Sequence, residues 1–307
     1  MFRRNRIQVK TPEQVATMRQ AGLVVARTLE LIRGAVAPGV TTRELDALAE
    51  EAILAAGAVP SFKGYHGFPA TICASVNDEI VHGIPDDRRL TEGDLVSLDC
   101  GAVVEGWHGD SAITVPVGEV GPELLELLSV CEDAMWAGLA TARAGRRLSD
   151  ISATIEAAIR SRGSYGIVEE YLGHGIGTEL HQDPQVPNYG RAGRGPTLEA
   201  GVVLAIEPMV NLGSRHNRVL DDDWTVVTQD GRPSAHFEHT VAVTPAGPWV
   251  LTALDGGRAR LAALGVAAGG ADVAPPAAQT PAGRGEANAA GRGESADPEG
   301  PGPVPAR

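Results

Sequence analysis

Cysteine is scarce in this 307-residue chain: Cys73, Cys100 and Cys131 form an odd set with no metal-type pairing. That excludes a disulfide framework and a thiolate zinc site, and reads as reduced thiols of a cytosolic protein. Long apolar runs are also missing, because each is cut by charge, Gly or Pro well short of the about 18 residues of a spanning helix. The basic start Met1-Phe2-Arg3-Arg4-Asn5-Arg6 reaches Thr11-Pro12 without the apolar stretch of a secretory signal. A soluble, cytoplasmic protein with no membrane partner is expected. Positive charge is in deficit, with 26 Lys and Arg against 39 Asp and Glu, a formal net charge of -13. A nucleic-acid backbone needs clustered positive charge, so no specific nucleic-acid partner is expected. From Val266 to Arg307 there is no Leu, Ile, Met or aromatic residue at all. This Ala/Gly/Pro-rich tail, 266–307, cannot bury enough apolar surface to offset its ordering entropy and is expected to be disordered.

The remainder is long enough to bury a substantial core. Thr11-Pro12-Glu13-Gln14 offers a cap, a proline at the first helical position and a capping-box Gln, so a helix is predicted from there to about Leu31-Ile32. A second helix is predicted from Thr42 to about Ala56, with Leu45, Leu48, Ala49, Ala52 and Ile53 on one face and Gly57 to stop it. The pattern then returns. Gly39 to Gly57 aligns without gaps on Gly145 to Gly163 (145−39 = 106), and Leu90 to Asp99 aligns on Leu198 to Glu207 (207−99 = 108). Two ordered blocks at nearly one offset indicate two related α+β halves packed face to face, with Asp99 and Glu207 at equivalent positions near the seam.

Asp94 to Val104 and Trp107 to Val115 read as strands joined by Glu105-Gly106, the composition of a two-residue hairpin turn. That turn pairs Val104 with Trp107 and puts Asp110 opposite Gly101, so Asp99 and Asp110 lie diagonally on one face of the ribbon. Asp99 also ends the apolar run Leu95-Val96-Ser97-Leu98, where an unpaired charge is costly and a cation would resolve the cost. Glu207 ends Val202-Val203-Leu204-Ala205-Ile206, and Glu238 sits inside the strand-like run His236 to Val243. His174 lies in Gly173-His174-Gly175-Ile176-Gly177, whose glycines permit close backbone approach. Four carboxylates and one imidazole form a hard, oxygen-rich set that suits a pair of divalent ions better than a structural zinc.

The ordered set Asp99, Asp110, His174, Glu207 and Glu238 resembles the metal set of the methionine aminopeptidases. It is carried by Leu98-Asp99-Cys100-Gly101, His108-Gly109-Asp110, Gly173-His174-Gly175-Ile176-Gly177, Ile206-Glu207-Pro208-Met209 and Phe237-Glu238-His239-Thr240. Further local matches run from Ser75-Val76-Asn77 to Val81-His82-Gly83 and around His181 with Pro184-Gln185-Val186, so the resemblance covers Ile7 to Ala253. It implies an α+β pita-bread fold, two pseudo-symmetric halves around an antiparallel sheet with helices outside. The expected organisation is an N-terminal extension 1–10, a catalytic domain 11–255 with halves near 11–117 and 118–250, then the tail.

The resemblance also implies roles. Asp110 and Glu238 would bridge two divalent ions (Co, Mn, Fe(II) or Zn), Asp99 would complete one site and His174 with Glu207 the other. Glu207 would handle the proton of the attacking water, while His82 and His181 would contact the substrate amide and its oxyanion. A closed apolar pocket for methionine would draw on Tyr65, Cys73, Trp224 and Phe237, although the residue before His181 is Leu180 where the family commonly has an aromatic ring. His66 is left open, and His108, His216, His236 and His239 are read as structural. The expected activity is removal of initiator methionine from nascent proteins when the second residue is small, by the short bacterial form of the enzyme, a monomer by default, with transient ribosome contact left open. By the same size rule Met1, followed by Phe2, is expected to be retained. A proline-directed aminopeptidase or prolidase on the same fold, and a non-catalytic nascent-chain or ribosome-associated binding protein, are the rival readings.

Overall fold

The computed structural model describes residues 7–270, so most of the expected tail and the first residues of the expected extension lie outside the described residues. Helix α1 (Pro12–Ala35) starts on the predicted capping box: the Thr11 hydroxyl accepts the Gln14 N–H at 3.3 Å, and the Gln14 side chain accepts the Thr11 N–H at 2.9 Å. Helix α2 (Thr42–Ala55) repeats the device with Thr41 and Glu44, buries Leu45, Ala49 and Ile53, and is followed by Gly57 at φ +73°. The second half carries α3 (Pro122–Thr141) and α4 (Leu148–Arg162), and a short α5 (Arg258–Ala263) closes the described chain. None of these helices is long and apolar enough to cross a membrane.

The hairpin has the register read from its turn. Strands Leu95–Val104 and Trp107–Pro116 pair Val104 with Trp107 and Gly101 with Asp110, and Glu105 and Gly106 both take positive φ, as a twist-matched two-residue turn requires. Leu95–Val104 also pairs with Ile72–Val76 and Val59–Pro60 in a four-stranded antiparallel sheet. In the second half, Val203–Ile206 lies between His239–Thr244 and Gly173–Gly175 in a five-stranded sheet. Each half has its own core: Val25, Ile32, Leu45 and Ile53 pack against Ile72 and Leu98 in the first, and Leu127, Leu139, Ile151 and Ile155 against Leu204 and Ile206 in the second.

The duplication is visible bond by bond. Gly39 N–H donates to the Leu90 carbonyl at 2.7 Å, and Gly145 N–H donates to that of Leu198 at 2.9 Å; Leu90 N–H donates to Val40 and Leu198 N–H to Arg146, each at 2.8 Å. The offsets are 106 on the turn side (145−39 and 146−40) and 108 on the strand side (198−90). At the seam the halves meet as a pseudo-twofold demands, a contact between two positions recurring between their equivalents. Ala112 and Glu238 exchange backbone hydrogen bonds at 2.9 and 3.3 Å, and 238−112 = 126. The pair Asp110 and Thr240 is matched by His236 and Thr114, because 236−110 and 240−114 are both 126.

Two readings need correction. The run His236 to Val243 is not one strand: Ser234–His236 pairs with Met209–Asn211, His239–Thr244 pairs with Val203–Ile206, and the chain changes sheets at Phe237-Glu238. Opposite it, Glu207-Pro208 makes the same transfer between Val203–Ile206 and Met209–Asn211. Residues 266–270, read as the start of the tail, are packed: Val266 and Ala268 lie against the second core and Gly269 N–H donates to the Pro248 carbonyl at 2.8 Å.

Candidate active site

Asp99 and Asp110 converge from the hairpin, with Asp99 flanked across the sheet by Cys73 on one side and Ala112 on the other. Glu207 and Glu238 come from the two points where the chain changes sheets, so neither backbone is committed to a continuous ladder there. His174 is carried on a glycine strand for a steric reason: a methyl group on Gly173 would lie 2.5 Å from the Ala205 carbonyl oxygen, and one on Gly175 would collide with the Asp183 carbonyl.

These five side chains meet. Asp110, His174 and Glu238 each place a ligand atom within 4.8 Å of the other two, and all three are buried. His174 Nε2 lies 3.4 Å from Glu207 Oε1. The His174 ring is neutral, since burial lowers its pKa to about 3, and its Nδ1 donates to the Gly175 carbonyl at 3.0 Å. Nε2 therefore presents a lone pair to a carboxylate oxygen, an arrangement that a cation between them resolves. Three more acceptors tell the same story: Asp99 Oδ1, Asp110 Oδ1 and Glu238 Oε1 are buried without a hydrogen-bond partner. Burial foremost raises all four carboxyls, Asp99 to about 7, and Coulomb repulsion within the cluster adds to the rise of Asp110, Glu207 and Glu238. Unpartnered acidic oxygens grouped around a neutral imidazole fit a site for hard divalent cations.

Against this cluster lies a cavity of about 110 Å³, lined also by Phe62, Tyr65, Phe68, Cys73, Leu180 and Trp224, with His82 and His181. That is well below the roughly 300 Å³ of small drug-sized sites, so it holds about one side chain. His181 Nδ1 is 2.8 Å from the Tyr65 hydroxyl and its ring stacks edge-on to His174 at 4.3 Å. His82 holds a left-handed backbone at φ 62°, a strained setting for a residue other than glycine, with its ring edge-on to Tyr171 and Trp224. Burial lowers the pKa of both His82 and His181 to about 4.

The sequence profile described as metallopeptidase family M24 matches residues 16–245. Methionine aminopeptidase 1 of Bacillus subtilis is 51% identical over 243 residues, spanning 79% of this chain and 98% of that protein. The chain belongs to family M24, among its methionine aminopeptidases. The Mycobacterium tuberculosis methionine aminopeptidase 1 is 52% identical over 245 residues, 78% of this chain and 92% of that one. The crystal structure of the Thermotoga maritima methionine aminopeptidase superposes with a TM-score of 0.79 at 42% identity, covering 81% of this chain and all of that one. The prolidase of Pyrococcus furiosus, at 23% identity and a TM-score of 0.65, shares the fold; this chain covers 65% of it. The pita-bread architecture implied by the sequence is the fold of this M24 peptidase.

All residues expected at the site of the methionine aminopeptidase line this cavity except Phe237. Phe237 packs in the second core and lines a separate groove with Ser111, Ile113 and His239, because it and its neighbour Glu238 face opposite ways. His236, read as structural, stands beside the cluster with its buried Nε2 unpartnered, 3.7 Å from Glu207 Oε2. Its two-residue spacing from Glu238 was the available signal. Phe62 and Phe68 were missed as wall residues; they flank the irregular Tyr65–Gly67 turn, whose path no periodicity encodes. His239 bonds Thr252 at 2.8 Å and His108 bonds Ser61 at 3.0 Å, both structural settings.

Proposed function

We propose that this chain removes the N-terminal methionine of proteins and peptides whose second residue is small, with two divalent cations held by Asp99, Asp110, His174, Glu207 and Glu238. The observation that carries the reading is the set of unpartnered buried carboxylate oxygens around the His174 lone pair, next to a cavity for one side chain. Bound there, such a pair of cations supplies an activated water and polarises the scissile carbonyl, so no protein nucleophile is needed.

The chain's own groups do the rest. Phe62, Phe68, Leu180 and Trp224 enclose an unbranched apolar side chain that adapts to an irregular space, as methionine does. A cavity of about 110 Å³ closes on that first residue and leaves the second to be accommodated outside it, which favours a small one. His181 is held by the Tyr65 hydroxyl and His82 by its aromatic neighbours, so each can bond the substrate amide without reorganising. Glu207, with two imidazoles within 3.7 Å of its carboxylate oxygens and the cavity beside it, is placed to take a proton from water and pass it to the leaving amine. The physiological substrates on this reading are nascent chains. Incubation of the protein with two purified reporters that begin Met-Ala and Met-Phe, followed by intact-mass measurement, tests it: only the Met-Ala reporter should lose a methionine. Trimming of both, or of neither with any divalent metal, would overturn the proposal.

A further inference from the structure

The site draws its two central carboxylates from different halves: Asp110 from the first and Glu238 from the second. Something must hold the halves in register, since a shift at the seam changes the spacing between those carboxylates directly. Across the seam as a whole the halves share an apolar core and a strand pairing of Glu79–Val81 with Val226–Thr228, but beside the two carboxylates the contacts are specific hydrogen bonds. The Thr240 hydroxyl donates to the Asp110 carbonyl at 2.8 Å and accepts the Asp110 N–H at 3.1 Å, so one side chain closes both main-chain groups of Asp110. The Ser111 hydroxyl donates to the Glu238 carbonyl at 2.5 Å, and Ala112 and Glu238 exchange backbone bonds. Thr240 and Ser111 have no solvent exposure.

We infer that Thr240 and Ser111 are positioning residues for the metal centre: their hydroxyls clamp the backbones of Asp110 and Glu238 across the seam and fix the separation of the two carboxylates. This rests on the proposed metal ligation by Asp110 and Glu238. The Thr240 hydroxyl is turned to the Asp110 peptide groups, donating to one and accepting from the other, and Thr240 is not among the residues lining the cavity. The pseudo-twofold supplies a control within the same molecule. Thr114 makes the equivalent clamp on His236, donating to its carbonyl and accepting its N–H, both at 2.8 Å, and His236 is not one of the five proposed ligands. A purely structural role for such clamps predicts equal consequences at the two positions, whereas a positioning role predicts asymmetry.

The test is calorimetric titration of chelator-treated full-length protein with Mn(II), beside kcat and KM for a Met-Ala peptide. Groups that orient metal ligands typically contribute about 10- to 100-fold in affinity or activity. Thr240→Val should weaken Mn(II) binding by that factor and lower kcat with KM within about threefold, and Thr240→Ser should restore both. Thr114→Val should leave the Mn(II) affinity within about threefold of the wild type. Should Thr240→Val not fold, Ser111→Ala keeps the test open, with an expected loss of about threefold or more, since Glu238 retains its bonds to Ala112. Wild-type Mn(II) affinity in Thr240→Val or Ser111→Ala, or an equal loss in Thr114→Val, overturns the inference. Asp110→Ala separates the two levels: if it too binds Mn(II) like the wild type, the metal-site reading itself fails, and if it alone loses binding, only the clamp fails.

Discussion

Replacing Asp110 by Asn should make the metal-free protein more stable while abolishing its response to metal. Asp110 is 4% exposed, its Oδ1 has no partner, and its carboxyl and that of Glu238 approach within 4.8 Å. Two full charges at that distance repel by about 3.5 kcal/mol at an effective dielectric near 20. Partial protonation at pH 7.5 relieves some of that, because burial and neighbouring charge raise the Asp110 pKa well above its usual value. Removing the charge should therefore stabilise the chelated protein by about 2 kcal/mol, or roughly 4–8 °C in Tm for a domain of this size. With Mn(II) at 100 times its Kd, the wild type should gain about 2.7 kcal/mol, roughly 5–10 °C, and the variant nothing. Thermal melts of both proteins in chelator and in Mn(II) at pH 7.5 should cross: Asp110→Asn the higher in chelator, the wild type the higher in metal. A variant that melts below the wild type in chelator would refute the claim that these carboxylates repel one another in an electrostatically strained site.

Tyr65→Phe removes the 2.8 Å bond that orients His181 and should lower kcat about 3- to 10-fold with KM within about twofold, while His181→Ala should cost about 100-fold or more; equal effects of the two in steady-state assays would contradict the division of roles. Phe68→Ala opens the cavity wall where Phe68 stacks on Trp224 at 5.0 Å. It should raise kcat/KM for a Phe-Ala peptide relative to Met-Ala about tenfold or more, and an unchanged ratio would remove Phe68 from the specificity wall. Burial disfavours the charged forms of His82 and His181, so each lies at about 4 and stays neutral as pH falls through 6.5. The pH profile of kcat/KM should then show no acid limb centred near 6.5 that disappears in His181→Gln; such a limb would show that His181 titrates as a solvated ring.

What was legible in the sequence was local or periodic. Glu105-Gly106 dictated a turn type, the turn dictated the register, and the register placed Asp110 opposite Gly101. The capping boxes at Thr11 and Thr41 dictated where helices begin. The offsets of 106 and 108 disclosed two related halves, but not how they meet: the 126 offset at the seam depends on strands whose pairing no single segment encodes. Phe237 offers the aromatic ring that the family's pocket calls for, but composition does not say which way a ring faces, and the fold turns Phe237 away from the side that Glu238 faces. That His236 Nε2 lies unpartnered 3.7 Å from Glu207 Oε2 depends on the chain changing sheets at Phe237-Glu238, which no local pattern encodes. The ordered end at 266–270 rests on the packing of Val266 and Ala268 and on the Gly269 N–H bond to the Pro248 carbonyl, which small residues allow without any apolar periodicity.

Hydrolysis of matched Met-Ala, Met-Phe and Ala-Pro peptides by chelator-treated protein, with Mn(II), Fe(II), Co(II) or Zn(II) added back beside an Asp110→Ala control, tests the central claim most directly. The account predicts metal-dependent cleavage of the Met-Ala peptide alone, lost in the control. Cleavage of Ala-Pro would move the protein to the proline-directed enzymes of the same fold, and cleavage that persists in chelator or in Asp110→Ala would contradict the metal site itself.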